Sequence, residues 1–99
     1  MRLAEEQVKA IREIVYEEAG PDARVRLFGS RVNDELRGGD VDLLVVLDSD
    51  VANAAWLAAR LEARISRALE GRSVDVVLEA PNLRRSTIHR FAEAEGVPL

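Results

Sequence analysis

The sequence predicts an α+β fold, a small β-sheet flanked by helices. Three observations carry this expectation. Short runs over residues 23–28, 41–47 and 74–79 have the composition and alternation of strands. Longer segments over 3–18 and about 52–70 carry apolar stripes at helical spacing. Gly20-Pro21, Gly71 and Gly96 fall where these segments end. The resulting order is αβ(α)βαβα. Ninety-nine residues suit one compact domain, so residues 1–99 are expected to form a single unit.

The first helix is read from Ala4, Val8, Ile11 and Val15, which share one stripe with Ile14 beside it. Glu5, Glu6, Lys9, Glu13 and Glu17 lie elsewhere on the wheel, and Gly20-Pro21 stops the helix. In the first strand Ala23, Val25 and Leu27 face one way and Arg24 and Arg26 the other, up to Phe28. Gly29-Ser30 is a turn. A short helix over 30–36 with Ser30 as N-cap follows, then a loop at Arg37-Gly38-Gly39. The strand over 41–47 is apolar on both faces, which predicts a central position. Asp48-Ser49-Asp50 is expected to cap the long helix, with Leu57, Leu61, Ile65 and Ala68 as its buried stripe and Trp56 and Leu69 flanking in the core. In the third strand Val74, Val76 and Leu78 alternate with Asp75, Val77 and Glu79. Pro81 opens a connection, and Ser86 caps a last helix of about ten residues.

Composition narrows the chemistry. The apolar share is 47% and the charged share 32%, ordinary for a soluble globular protein. No apolar run approaches a membrane span and no signal-peptide pattern is present, so the expected location is the cytoplasm. There are no cysteines and one histidine, which leaves oxygen ligands for any metal and favours magnesium or manganese over zinc. The net charge of −4 argues against nucleic acid as the main partner, because such proteins usually carry a basic excess.

The residues with chemical meaning cluster in two places. Gly29-Ser30 ends a strand and opens a helix, where exposed N–H groups attract phosphate and glycine permits close approach. Arg31 adjoins this turn. Asp40 and Asp42 lie two apart at the start of a strand. Their side chains point to one side, about 6–7 Å apart along it. Carboxylates so spaced can share divalent metal next to a triphosphate. A Gly-Ser turn alone is commonplace. Aspartate, however, is disfavoured in strands, and Asp42 stands directly before five apolar residues on the face that continues through Leu44 and Val46. Asp75 is a third carboxylate that a neighbouring strand would bring close, able to ligate metal or accept the proton of an attacking hydroxyl. His89 on the last helix is expected to be a surface or partly buried histidine. Arg60, Arg64 and Arg67 read as a solvated face of the long helix, or as a partner-binding stripe. Arg84, Arg85 and Arg90 form a small basic cluster near the C-terminus.

At these residues the chain resembles the minimal nucleotidyltransferases of the DNA polymerase β-like superfamily. The resemblance covers nearly the whole length. It rests on Leu27-Phe28-Gly29-Ser30-Arg31, on Asp40-Val41-Asp42-Leu43-Leu44-Val45, on Val74-Asp75-Val76-Val77, and on the closing segment Ile88 to Leu99. It implies a mixed sheet of the polymerase β palm type. It implies that Gly29, Ser30 and Arg31 bind the nucleotide, and that Asp40, Asp42 and Asp75 bind Mg²⁺ or Mn²⁺ and carry catalysis. It further implies ATP as substrate and an all-helical HEPN partner, with the nucleotidyltransferase acting as antitoxin and AMP passing to the toxin. The chain departs from the commonest pattern in three ways. The stretch between Ser30 and Asp40 is one residue shorter, Val32-Asn33-Asp34-Glu35 replaces small residues, and Gly39 precedes the first aspartate.

Three functions compete. One is metal-dependent transfer of a nucleoside monophosphate to an acceptor hydroxyl on a partner. Another is a non-catalytic antitoxin that neutralises by binding alone. The third is the nucleotide-binding subunit of a two-chain transferase acting on a small molecule. The joint presence of Gly29, Ser30, Asp40, Asp42 and Asp75 favours the first, because a pure binding surface has no use for that set. A nucleic-acid polymerase is not expected, since no helix-hairpin-helix or thumb-like extension fits within 99 residues.

Overall fold

A computed structural model describes residues 3–28 and 41–99. Among the described residues three helices and four strands follow one another: α1 (Glu5–Ala19), β1 (Arg24–Phe28), β2 (Val41–Val46), α2 (Ala54–Ala68), β3 (Val74–Glu79), α3 (Thr87–Glu95) and β4 (Val97–Pro98). The sheet order is β3-β2-β1-β4. β1 runs antiparallel to β2 and to β4, whereas β2 and β3 are parallel. The fold is therefore α+β with a mixed sheet, as the sequence predicts, and the doubly apolar β2 is central. β4 is an addition. Two residues carry no periodicity, and only their pairing with Arg26 and Leu27 makes them a strand.

The pleat sorts side chains onto two faces. Val25, Leu27, Leu43, Val45, Val76 and Leu78 point to one face, where α1 and α2 cover them. Ile11, Ile14 and Val15 of α1 and Leu57, Leu61 and Ile65 of α2 complete this core. Phe28, Leu44 and Ala92 form a smaller cluster on the opposite face, with Val46 and Val77 packed against it. That second face belongs to α3, whose side chains cover only part of it.

The helix ends follow local chemistry. Ala4 N–H donates to Gln7 Oε1 (2.8 Å), and Gly20 adopts φ +96° at the end of α1, a conformation glycine takes without strain. α2 starts later than expected. Its N-cap is Asn53, whose Oδ1 accepts from Trp56 N–H at 3.0 Å, rather than the Asp48-Ser49-Asp50 segment. The cause is tertiary: Asn82 accepts from Val51 N–H and donates to Val51 C=O, which holds the preceding chain out of the helix. Trp56 is not core. It is 58% exposed and carries the Arg60 guanidinium over its ring at 5.6 Å. The arginine stripe is not simply solvated either. Arg60 pairs with Glu18 (2.6 Å), and Arg64 bridges Glu17 and Glu18 (both 2.8 Å), joining α2 to α1. Among the described residues no helix is long and apolar enough to cross a membrane.

Candidate active site

Three strand ends meet at one edge of the second face. β1 finishes there, and β2 and β3 begin there, because β2 is antiparallel to the first and parallel to the other. Phe28 pairs with Asp42, and Asp42 pairs with Asp75. Residues opposite one another on neighbouring strands project to the same side. The two aspartates are thus adjacent across a strand spacing of about 4.8 Å. Asp42 is half-buried and Asp75 is exposed. In each strand the next residue on that face is apolar, Leu44 and Val77, and these lie in or against the cluster that Ala92 of α3 caps. The carboxylates form a polar row just beyond the apolar ground that α3 covers.

The remaining predicted site residues, Gly29, Ser30, Arg31 and Asp40, lie outside the described residues, as do the expected short helix over 30–36 and the loop at 37–39. Their chain positions still bear on the site: Gly29 follows Phe28 directly, and Asp40 directly precedes β2. Among the described residues no group of three metal-ligating side chains forms, and the Asp42/Asp75 pair is what the strands bring together. Two carboxylates at a half-open edge, without nitrogen or sulfur donors, fit a hard cation such as Mg²⁺.

A family model for the nucleotidyltransferase domain matches residues 8–97. The chain belongs to this family. The match spans the whole strand framework around Asp42 and Asp75. Three chains of solved structures also match. One is a crystal structure of a toxin–antitoxin with AMP-PNP, 19% identical, with a TM-score of 0.69 over 97% of this chain and 72% of that one. This likeness establishes a shared fold. No curated protein matches.

In this nucleotidyltransferase domain, α3 is fastened at both ends. At its start His89 reaches back to Ser86, and Ser86 N–H donates to Nδ1 at 3.0 Å. His89 Nε2 lies 2.8 Å from Leu78 C=O. A carbonyl only accepts, so Nε2 carries the proton and Nδ1 is the acceptor. His89 is buried, at 7% exposure, deeper than the surface or partly buried position expected. It performs the back-bonding role that Glu or Gln fills in the usual capping box. At the other end Arg26 of β1 donates to the carbonyls of Ala92 (3.3 Å), Glu93 (3.1 Å) and Gly96 (2.6 Å). These lie in the last turn of α3 and just beyond it, the negative end of the helix dipole. Gly96 is required there, since a Cβ would collide with Ala92 O and crowd the Arg26 Nε.

Sequence reasoning missed Arg26 and assigned it only to a strand face. Alternation of Arg24 and Arg26 was visible, but what Arg26 meets depends on how α3 returns. Glu62 is a second omission. Its carboxylate on α2 accepts from Val76 N–H (2.9 Å) beside Asp75. β3 is an edge strand, and Glu62 satisfies one of its outward donors.

Proposed function

We propose that residues 1–99 act as one metal-dependent nucleotidyltransferase unit that moves AMP from ATP to an acceptor hydroxyl on an all-helical HEPN-type partner, as the antitoxin of a cytoplasmic pair. The observation that carries this reading is the in-register pairing of Asp42 with Asp75 beside the end of β1. Membership of the nucleotidyltransferase family supports the reaction class. The fold shared with a toxin–antitoxin structure containing AMP-PNP supports the nucleotide and the setting.

In this reading Gly29, Ser30 and Arg31 bind the triphosphate, and Asp40, Asp42 and Asp75 hold Mg²⁺ or Mn²⁺. When bound, the metal neutralises charge on the phosphates and on the departing group. Asp75, exposed beside the half-buried Asp42, faces the acceptor and takes its hydroxyl proton. The acceptor oxygen forms a bond to the α-phosphorus as the bond to pyrophosphate breaks, and pyrophosphate leaves with the electron pair. Asp42, half-buried and backed by Leu44, holds its place in the row while this happens.

The test is the intact mass of a co-expressed partner. Wild-type protein is expected to add one nucleoside monophosphate. Asp75→Asn preserves shape, should retain the fold, and should lower transfer by about 10²–10⁴-fold through loss of the base. Neutralisation of the partner with no mass change, by wild type and Asp75→Asn alike, would refute transfer and leave binding as the function.

A further inference from the structure

We infer that the outward face of α2 is a contact between two copies of this chain, packed antiparallel about a two-fold axis near Ala59. The helix buries Leu57, Leu61 and Ile65 in the core. At 3.6 residues per turn the opposite line runs through Trp56, Ala59 and Ala63, and all three are exposed. A solvated helix face ordinarily carries charged and polar side chains. This line carries none. It has a tryptophan, 58% exposed, at one end and two alanines towards the other. Alanine favours a helix wherever it stands, but it also lets a second helix approach closely.

The order of residues along α2 selects the occupant. Trp56 and Ala63 are equidistant from a point between Ala59 and Arg60. Antiparallel copies related about that point set each Trp56 ring over the other copy's Ala63, a large side chain against a small one, twice. The charges agree. Asp50, which precedes the Asn53 N-cap, and Arg67, in the last turn, are both exposed, and neither joins an ion pair among the described residues. The same two-fold brings each Arg67 to the end of the other copy's α2 that Asp50 precedes. The remaining cations on this side are already met, Arg60 by Glu18 and Arg64 by Glu17 and Glu18, so they add little repulsion between copies. Arg60 also lies over the Trp56 ring at 5.6 Å and orients it before association. Such a contact is isologous and closes at two copies. Because α2 covers the first face and the carboxylates lie on the second, it leaves both Asp42/Asp75 edges open.

Sedimentation velocity over about 1 μM to 1 mM tests this. One helix from each copy is a small contact, so the dissociation constant is expected at about 10–100 μM. Trp56 is the one tryptophan of the chain, and its emission should move to shorter wavelength over the same range. Ala63→Glu puts a carboxylate under the other copy's indole, at an exposed position that the fold tolerates, and should weaken association by about tenfold or more. Circular dichroism checks that this variant is folded. Asp50→Arg and Arg67→Asp should each weaken association by about fivefold to tenfold, and the double variant should recover the wild-type constant. A chain that stays monomeric throughout the range would overturn the inference. So would a dimer indifferent to Ala63→Glu, an indole whose emission ignores dimer formation, or a double charge variant no tighter than either single one.

Discussion

Replacing Arg26 with Met keeps most of the aliphatic stem and removes the guanidinium. The structure sets the size of the effect. Three donor contacts disappear, at 3.3, 3.1 and 2.6 Å. They do not count equally. Ala92 O still accepts from Gly96 N–H (2.9 Å), and the Glu93 contact is exposed, so water can replace it. The Gly96 contact is short and part-buried, and a hydrogen bond to a charged group contributes about 1.5–3 kcal/mol. Loss of a cation at the helix C-terminus adds about 0.3–1 kcal/mol. The expected destabilisation is about 2–4 kcal/mol. For a domain near 100 residues this corresponds to a fall in Tm of roughly 10–20 °C. Urea unfolding followed by circular dichroism measures it, with Arg26→Lys expected to recover part of the loss through a single donor. Hydrogen exchange should show the α3 amides losing protection first, since the helix has lost its anchor. A change below about 0.5 kcal/mol, with α3 protection intact, would refute the claim that Arg26 fastens α3 to the sheet.

Two further outcomes follow from side chains on the helices. The Arg60 hydrogen bond, joined by that of Arg64, holds the Glu18 carboxyl below its ordinary value of 4.5 despite its partial burial. A depressed carboxyl stabilises the fold above the unfolded value and loses that contribution as pH falls through the folded one. Glu18→Gln should therefore flatten the loss of stability below about pH 4.5, and an unchanged acid limb in chemical denaturation would show the pair to be inert. His89→Leu leaves Leu78 O and Ser86 N–H without their partners and should cost about 2 kcal/mol. His89→Gln should cost less because it retains the back-bond to Ser86, and equal urea midpoints for the two variants would contradict that role.

Much of the fold was legible because it depends on local periodicity. The stripe in α1, the alternation in β3 and the doubly apolar run of β2 are properties of consecutive residues, and each predicts its element within a few positions. Asp42 was legible for a related reason: a charge directly before five apolar strand residues contradicts its local environment, and such conflicts gather at functional sites. Trp56 misled because it flanks the buried stripe of α2 on the wheel, and which flank is covered depends on where α1 lies. Arg60 and Arg64 show the same dependence, since their acidic partners sit on another helix. The N-cap of α2 moved to Asn53 because Asn82, distant in the chain, holds Val51.

By itself, then, the sequence determined the order of α1, β1, β2, α2, β3 and α3, the central place of β2 and the positions of Asp42 and Asp75 near the starts of β2 and β3. Tertiary structure decided which of them meet. Parallel pairing of β2 with β3 sets Asp42 beside Asp75, although α2 lies between them in the chain. The return of α3 across the second face brings Arg26 to three carbonyls and Phe91 to Phe28. The physical reason is one of range. Periodicity reports which side of an element is apolar, whereas a register or a helix end meeting an arginine is a contact between segments whose separation in sequence carries no local signal.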